Sequence, residues 1–168
     1  MTVTAARRIA GVVAAVAAAA LLAGCTPAED RLMGVALRNR QLVVLTGLCP
    51  DERASHLFVD VTSAAGKRSW YSAAQGPDVR PAEVDLAAPG PQWPSNDAAP
   101  GEVDPAAEYS LAVEAVKEHR LHNGVLTVSG SVLLGLTDGQ VVAANGRGTG
   151  GYRVMTAGEF EAKRRKSC

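Results

Sequence analysis

The sequence predicts a mainly β protein: an immunoglobulin-like or related antiparallel β-sandwich with a short C-terminal helix, following an N-terminal signal segment. Short runs rich in β-branched residues recur along the chain, and turn-forming residues separate them. The clearest run is 56–62, where Leu57, Val59 and Val61 alternate with other residues and therefore share one face of a strand. A helix-start signal occurs near the C-terminus.

Seven to nine short strands are expected, most of them bounded by turn residues. The first two form a hairpin whose turn, Asn39-Arg40, departs from the preferred Asn-Gly because arginine disfavours a positive φ. Asp138-Gly139 is a stronger turn signal. The predicted strands are 34–38, 41–45, 56–62, 68–72, 82–86, 109–116, 124–134, 140–143 and 152–155.

Two of these runs also carry signals for other local structures. Residues 109–116 alternate as a strand does, although their alanine and glutamate content also suits a helix. In 124–134, Gly130 is expected at a bulge or bend where the strand passes between sheets.

A proline-rich stretch at 87–105 predicts a long exposed loop, because proline removes backbone donors and cannot join a sheet interior. Trp93 lies in this loop and is a candidate partner contact, since an aromatic side chain on a stiff loop binds at little entropic cost. The alternative is that Trp93 folds back and packs over the edge of the domain.

The C-terminal helix is predicted at 157–167. Thr156 and Glu159 have the spacing of a capping box, in which each side chain satisfies an open amide of the first turn. The basic run 163–166 complements the negative end of the helix dipole. The same run is also a candidate contact for anionic lipid headgroups.

The N-terminus carries Arg7-Arg8 and an uncharged apolar run at 9–23. The last two residues of this run begin the tetrapeptide Leu22-Ala23-Gly24-Cys25. This layout is typical of a secretory signal, and the final tetrapeptide resembles the lipobox of bacterial lipoproteins. The resemblance implies that residues 1–24 are removed as a signal peptide and that the Cys25 thiol carries a diacylglyceryl group. Competing interpretations are an uncleaved membrane span, for which the apolar run is short, and an ordinary signal peptide beside a chance cysteine.

After processing, 25–31 forms a short lipidated tether and 32–168 a single mostly-β domain. The whole sequence has 17 Lys+Arg against 17 Asp+Glu. Such a balance gives no basic surplus for binding nucleic acid.

With Cys25 consumed by lipid, Cys49 and Cys168 remain as an even pair in an exported protein, which predicts a Cys49–Cys168 disulfide. A redox pair and a metal pair are the alternatives. Neither cysteine lies in a C-x-x-C motif, which disfavours both.

Catalysis finds little support in the sequence. There is no Gly-x-Ser-x-Gly elbow, and the three histidines, His56, His119 and His122, suit an exposed surface better than a metal site. We therefore assign no catalytic, cofactor-binding or metal-ligating residue. We expect a non-enzymatic binding or scaffolding lipoprotein, held by lipid at Cys25 on the extracytoplasmic face of the cell membrane, with an envelope protein as partner. The alternative is a binder of a small hydrophobic or lipidic ligand held between sheet and helix, and a cell-envelope hydrolase is a third possibility.

Overall fold

A computed structural model describes residues 32–76, 78–95, 97–144 and 151–168. The predicted signal peptide, the lipidation site Cys25, the tether and most of the glycine-rich turn at 146–151 lie outside these residues. The described chain is mainly β, with two antiparallel sheets and a C-terminal helix, as the sequence predicts.

The strands assemble into a five-stranded sheet in the order β5-β2-β1-β8-β9 and a four-stranded sheet in the order β4-β3-β6-β7. The elements are β1 Gly34–Arg38, β2 Gln41–Leu45, β3 Arg53–Ser63, β4 Gly66–Ala73, β5 Glu83–Asp85, β6 Glu108–Lys117, β7 Arg120–Ser129, α1 Gly130–Leu134, β8 Gln140–Ala144, β9 Tyr152–Thr156 and α2 Ala157–Ser167.

The two sheets pack face to face around one apolar core. From the four-stranded sheet, β3 contributes Leu57 and Val59, which alternate inward as their spacing predicts. From the five-stranded sheet, Val35, Val44 and Val142 face them and are fully or almost fully buried. Burial of these branched side chains is the main force that holds the sheets together.

Helix α2 covers the other face of the five-stranded sheet. Its Phe160 is buried among Leu32, Val141 and Met155. A Cβ on Gly34 would lie 2.8 Å from the Phe160 ring, so a glycine at this position lets the helix approach the sheet closely. The molecule therefore has three layers, with the five-stranded sheet in the middle.

The predicted strand at 124–134 is wrong in its second half. Strand β7 ends at Ser129, and the chain then forms the short helix α1. A Cβ on Gly130 would collide with the carbonyl oxygen of Asp104, and the Ser129 hydroxyl accepts a hydrogen bond from the Val132 amide as an N-cap. The apolar run favours a strand locally, but the cap and this close approach end it. The bulge or bend expected within a continuous strand at Gly130 is therefore replaced by the start of α1.

The predicted loop at 87–105 contains no helix or strand among its described residues, but it is not wholly exposed. Trp93 and Val103 are buried in the main core. The Ser72 hydroxyl donates to the Pro94 carbonyl at 2.8 Å, and the Val103 amide donates to the Arg40 carbonyl at 3.2 Å. The loop thus folds back across the sandwich, which corrects the expectation of an exposed segment.

Two tight hairpin turns place non-glycine residues at positive φ. In the β1–β2 hairpin, Asn39 and Arg40 have φ values of 53° and 63°. In the β6–β7 hairpin, Glu118 and His119 have values of 47° and 68°. This left-handed backbone matches the twist of paired strands, at a conformational cost to each side chain.

Candidate functional site

The outward face of the four-stranded sheet carries an apolar band that crosses all four strands. The register aligns Tyr71 with Phe58, Phe58 with Ala112, and Ala112 with Val125. Tyr71 and Val125 are 46% and 56% exposed, and Leu121, two outward positions further along β7, is 57% exposed. We call the outward side chains of β4, β3, β6 and β7 the outer face.

An aromatic cluster with one polar pair lies within the outer face. The rings of Phe58 and Tyr71 have centroids 4.9 Å apart, and the His56 ring stacks on Tyr71 at 5.5 Å. The His56 Nδ1 atom lies 2.7 Å from Oε2 of Glu114 on the neighbouring strand. The cluster fixes three ring orientations before any partner arrives, and such preorganisation reduces the entropic cost of binding.

Polar side chains border the apolar band on the next row of the sheet. Lys67 Nζ lies 2.8 Å from Asp60 Oδ2, and hydrogen bonds from Lys67 and Ser69 lower the pKa of the Asp60 carboxyl. On the same row the Thr127 hydroxyl donates to the Ser110 hydroxyl. An apolar centre with a polar border is the usual arrangement of a protein-binding surface.

A groove of about 520 Å³ lies at the opposite side of the molecule, between α2 and the connection from β2 to β3. Apolar side chains contribute much of its lining, including Leu45, Leu48, Pro81 and Phe160. Two arginines and two glutamates also line it: Arg80, Glu83, Glu161 and Arg164. This volume is large enough for a small organic ligand.

The charged groups in the groove are held in place by neighbouring groups. Arg164 makes a bidentate ion pair with Glu161, with N–O distances of 2.7 Å and 2.6 Å. This pairing lowers the pKa of Glu161 and raises that of Arg164. Arg80 donates to the Pro50 carbonyl at 2.7 Å. These guanidinium groups fix the walls of the groove.

A disulfide joins Cys49, which lines the groove, to Cys168, which follows α2. The Cα atoms lie 5.3 Å apart, and the sequence prediction of this pair is confirmed. Glu52 turns back to accept a hydrogen bond from the Cys49 amide at 2.9 Å. The groove wall and the helix end are therefore covalently connected.

Trp93, the predicted candidate for a partner contact, is 1% exposed and fills the core. The structure supports the packing alternative and removes Trp93 from the surface. His122 is buried on the inward face of β7, whereas His119 lies in the preceding turn, so the structure does not bring these two histidines together. Within the described ranges there is no cluster of three or more histidine, cysteine or acidic side chains that could bind a metal.

Within the described part of the chain, one histidine pairs with a carboxylate, His56 with Glu114. Among the residues that the structure describes, no serine, threonine or cysteine side chain hydrogen-bonds to this imidazole. The outer face is not among the sites predicted from the sequence. Its signal was already present, because Phe58 and Tyr71 occupy outward positions of predicted strands, where polar residues are usual.

In the part of the chain with described structure, no helix has the length and apolarity needed to cross a bilayer. No protein-family model matches the sequence, and neither the curated proteins nor the solved structures include a significant match.

Proposed function

We propose that this protein is a lipid-anchored lipoprotein with a non-enzymatic binding or scaffolding role on the extracytoplasmic face of the cell membrane. A lipid on Cys25 attaches it, and the outer face binds an envelope protein. The observation that carries this proposal is the unequal covering of the two sheets. Helix α2 covers the five-stranded sheet, whereas the outer face carries an aromatic and aliphatic band without any described element over it.

The dimensions of the outer face suit a protein partner. Four strands at about 4.8 Å spacing and ten residues at about 3.3 Å give a face of roughly 600 Å². Covering it would bury about 1,200 Å² in total, at the lower end of stable protein interfaces. The partner implied is a protein with an apolar contact surface and a hydrogen-bonding group near Glu114, since the outer face is apolar along one row and polar along the next.

Photocrosslinking in intact cells tests the outer face. A photoreactive amino acid at Val125 should capture a specific protein, because that side chain lies in the apolar band and is more than half exposed. The same group at Asp138, in an exposed turn before β8, is the matched control and should capture none. Adding Leu121→Asp should reduce capture at Val125 by about tenfold, because a charge must then be buried at the edge of the contact. Equal capture at Val125 and Asp138 would refute the proposal.

The anchor is tested separately. Replacing Cys25 with Ser should abolish lipid labelling and either release the domain or leave an uncleaved precursor. Labelled mature protein in the Cys25→Ser variant would disprove lipidation at this residue. A purified mature protein that is not labelled at all would also contradict the proposal.

A second function, binding of a small amphipathic ligand, is favoured by the groove between sheet and helix. Its apolar lining suits a hydrocarbon portion, and its arginine and glutamate side chains suit a polar end. Native mass spectrometry of the purified protein should then show a co-purifying ligand. That mass should disappear in Ala82→Phe, which fills the groove, and persist in Ala162→Phe on the exposed surface of α2. A protein that carries no added mass would exclude this function for the purified form.

A further inference from the structure

We propose that the C-terminal half of α2 is a membrane-facing surface that binds anionic phospholipid headgroups and turns the outer face away from the bilayer. The inference rests on the proposed lipid anchor at Cys25. It assigns a role to the basic run 163–166, for which the sequence left two interpretations open.

The first observation is where the described chain begins. Leu32 packs in the layer between the five-stranded sheet and α2. Gly47 lies directly against it, because a Cβ there would collide with the Leu32 carbonyl oxygen. The next residue, Leu48, accepts a hydrogen bond from Arg164, and Cys49 is bonded to Cys168. Three consecutive residues thus connect the start of the domain to the end of α2.

The second observation is the charge on the exposed side of α2. Phe160 and Arg164 point toward the sheet and groove, and the spacing of the helix turns Ala162, Arg165 and Lys166 outward. All three outward residues are exposed. In the described ranges no carboxylate lies within ion-pair distance of Lys166. The nearest to Arg165 is Glu161, at 3.9 Å, which Arg164 already holds at 2.6 Å.

The length of the tether keeps the start of the domain close to the bilayer. The seven residues 25–31 reach at most about 25 Å when fully extended. A lipid on Cys25 therefore keeps Leu32, and the helix end beside it, near the bilayer at a high effective concentration. Lysine and arginine within a Debye length of an anionic surface are attracted to it. A few such charges bind a free protein only weakly, but they are sufficient to orient a domain that the tether already holds at the bilayer. The outer face lies on the opposite side of the sandwich from α2, so this orientation turns it away from the bilayer.

The test uses the mature lipidated protein in phosphatidylcholine vesicles, with and without phosphatidylglycerol. A photoreactive side chain at Ala162 should crosslink to phospholipid, and the yield should rise several-fold when phosphatidylglycerol is present. The same group at Val125 should give no lipid adduct. Arg165→Gln/Lys166→Gln should lower the Ala162 yield roughly tenfold in anionic vesicles, as should NaCl at about 0.5 M, because both weaken the electrostatic attraction. Lys67→Gln/Arg68→Gln removes the same charge from the four-stranded sheet and should leave the yield unchanged.

The outcomes separate this inference from the proposed anchor. If the protein washes off both kinds of vesicle, Cys25 does not anchor it, and the proposed lipid anchor is disproved. If the protein stays bound but Ala162 and Val125 give equal lipid adducts, the anchor stands and the orientation is overturned. Capture of a protein instead of lipid at Ala162 in cells, or equal yields with and without phosphatidylglycerol, would also overturn it.

Discussion

Arg164 donates a hydrogen bond from Nη1 to the carbonyl oxygen of Leu48 at 2.9 Å, joining α2 to a residue 116 positions earlier in the chain. The Nε and Nη2 atoms of the same guanidinium donate hydrogen bonds to the Glu161 carboxylate. One partly buried side chain thus organises the end of α2 and a wall of the groove.

Replacing Arg164 with Gln should destabilise the protein by about 2 kcal/mol, because a hydrogen bond that involves a charged group contributes roughly 1.5–3 kcal/mol. Urea unfolding of the oxidised protein measures this change. The control is Arg165→Gln, since Arg165 is exposed and 3.9 Å from Glu161, and its effect should stay within about 0.5 kcal/mol. Equal effects of the two substitutions would contradict the docking role of Arg164.

Removing the disulfide should strongly destabilise the protein. Closing a loop across a separation of 119 residues restricts the unfolded chain, and loop entropy predicts about 4.9 kcal/mol as an upper value. We expect Cys49→Ser/Cys168→Ser to lose about 3–5 kcal/mol in urea unfolding. Reduction of the native protein should shift its midpoint in the same direction, and an unchanged midpoint would contradict the prediction.

Two glycines provide a matched test of backbone packing. Gly130→Ala should destabilise by about 2 kcal/mol or more, because the new methyl group collides with the Asp104 carbonyl and the backbone must move. Gly101→Ala has open space within 4 Å and should be neutral or stabilising by up to about 1 kcal/mol. Thermal unfolding compares the two variants, and a neutral Gly130→Ala would mean that α1 and residue 104 are not in contact.

The positive φ values in the hairpins predict an unusual stabilisation. Glycine adopts a left-handed backbone without the cost of about 1–2 kcal/mol that an L-residue bears. Arg40→Gly should therefore raise the unfolding free energy by about 1 kcal/mol. Arg68→Gly, within strand β4, should lower it by about 0.5–1 kcal/mol. If both variants lose stability, the turn conformation is not the one described.

Acid should loosen the first turn of α2. The Thr156 amide and hydroxyl donate to Glu159 at 2.7 Å and 3.0 Å, and these hydrogen bonds lower the pKa of Glu159 below its ordinary value of 4.5. Because the folded-state pKa is the lower one, the stabilisation is complete above about pH 4.5 and is lost as the pH falls through the folded-state value.

Amide exchange at Thr156 and Glu159 measures this loosening. Glu159→Gln keeps a capping acceptor without a titrating carboxyl, so its exchange across that pH range should show a weaker acid dependence than the native protein. Identical pH profiles for the two proteins would exclude the Glu159 carboxylate as the cause.

Much of the fold could be predicted from local sequence because its signals are local. The alternation around Val59 gives a strand, Thr156 and Glu159 give the helix start, and the cysteine count gives the disulfide. The burial of Trp93 and the end of β7 at Ser129 could not be predicted, because each depends on a distant segment.

The outer face could not be predicted as a binding surface for a related reason. Alternation shows that Phe58 and Leu57 face opposite ways but not which of the two faces another layer will cover.

The arrangement of strands has a consequence for the order in which synthesis completes the two sheets. The four-stranded sheet draws all its strands from residues 53–129, and two of its pairings are hairpins between consecutive strands. The five-stranded sheet pairs β1 with β8, so Val35 cannot pair until Val142 has been synthesised, more than a hundred residues later. A ribosome therefore releases every strand of the outer layer while the middle layer still lacks its central pairing. All strands that carry the apolar band are therefore synthesised before the five-stranded sheet against which they pack can be completed.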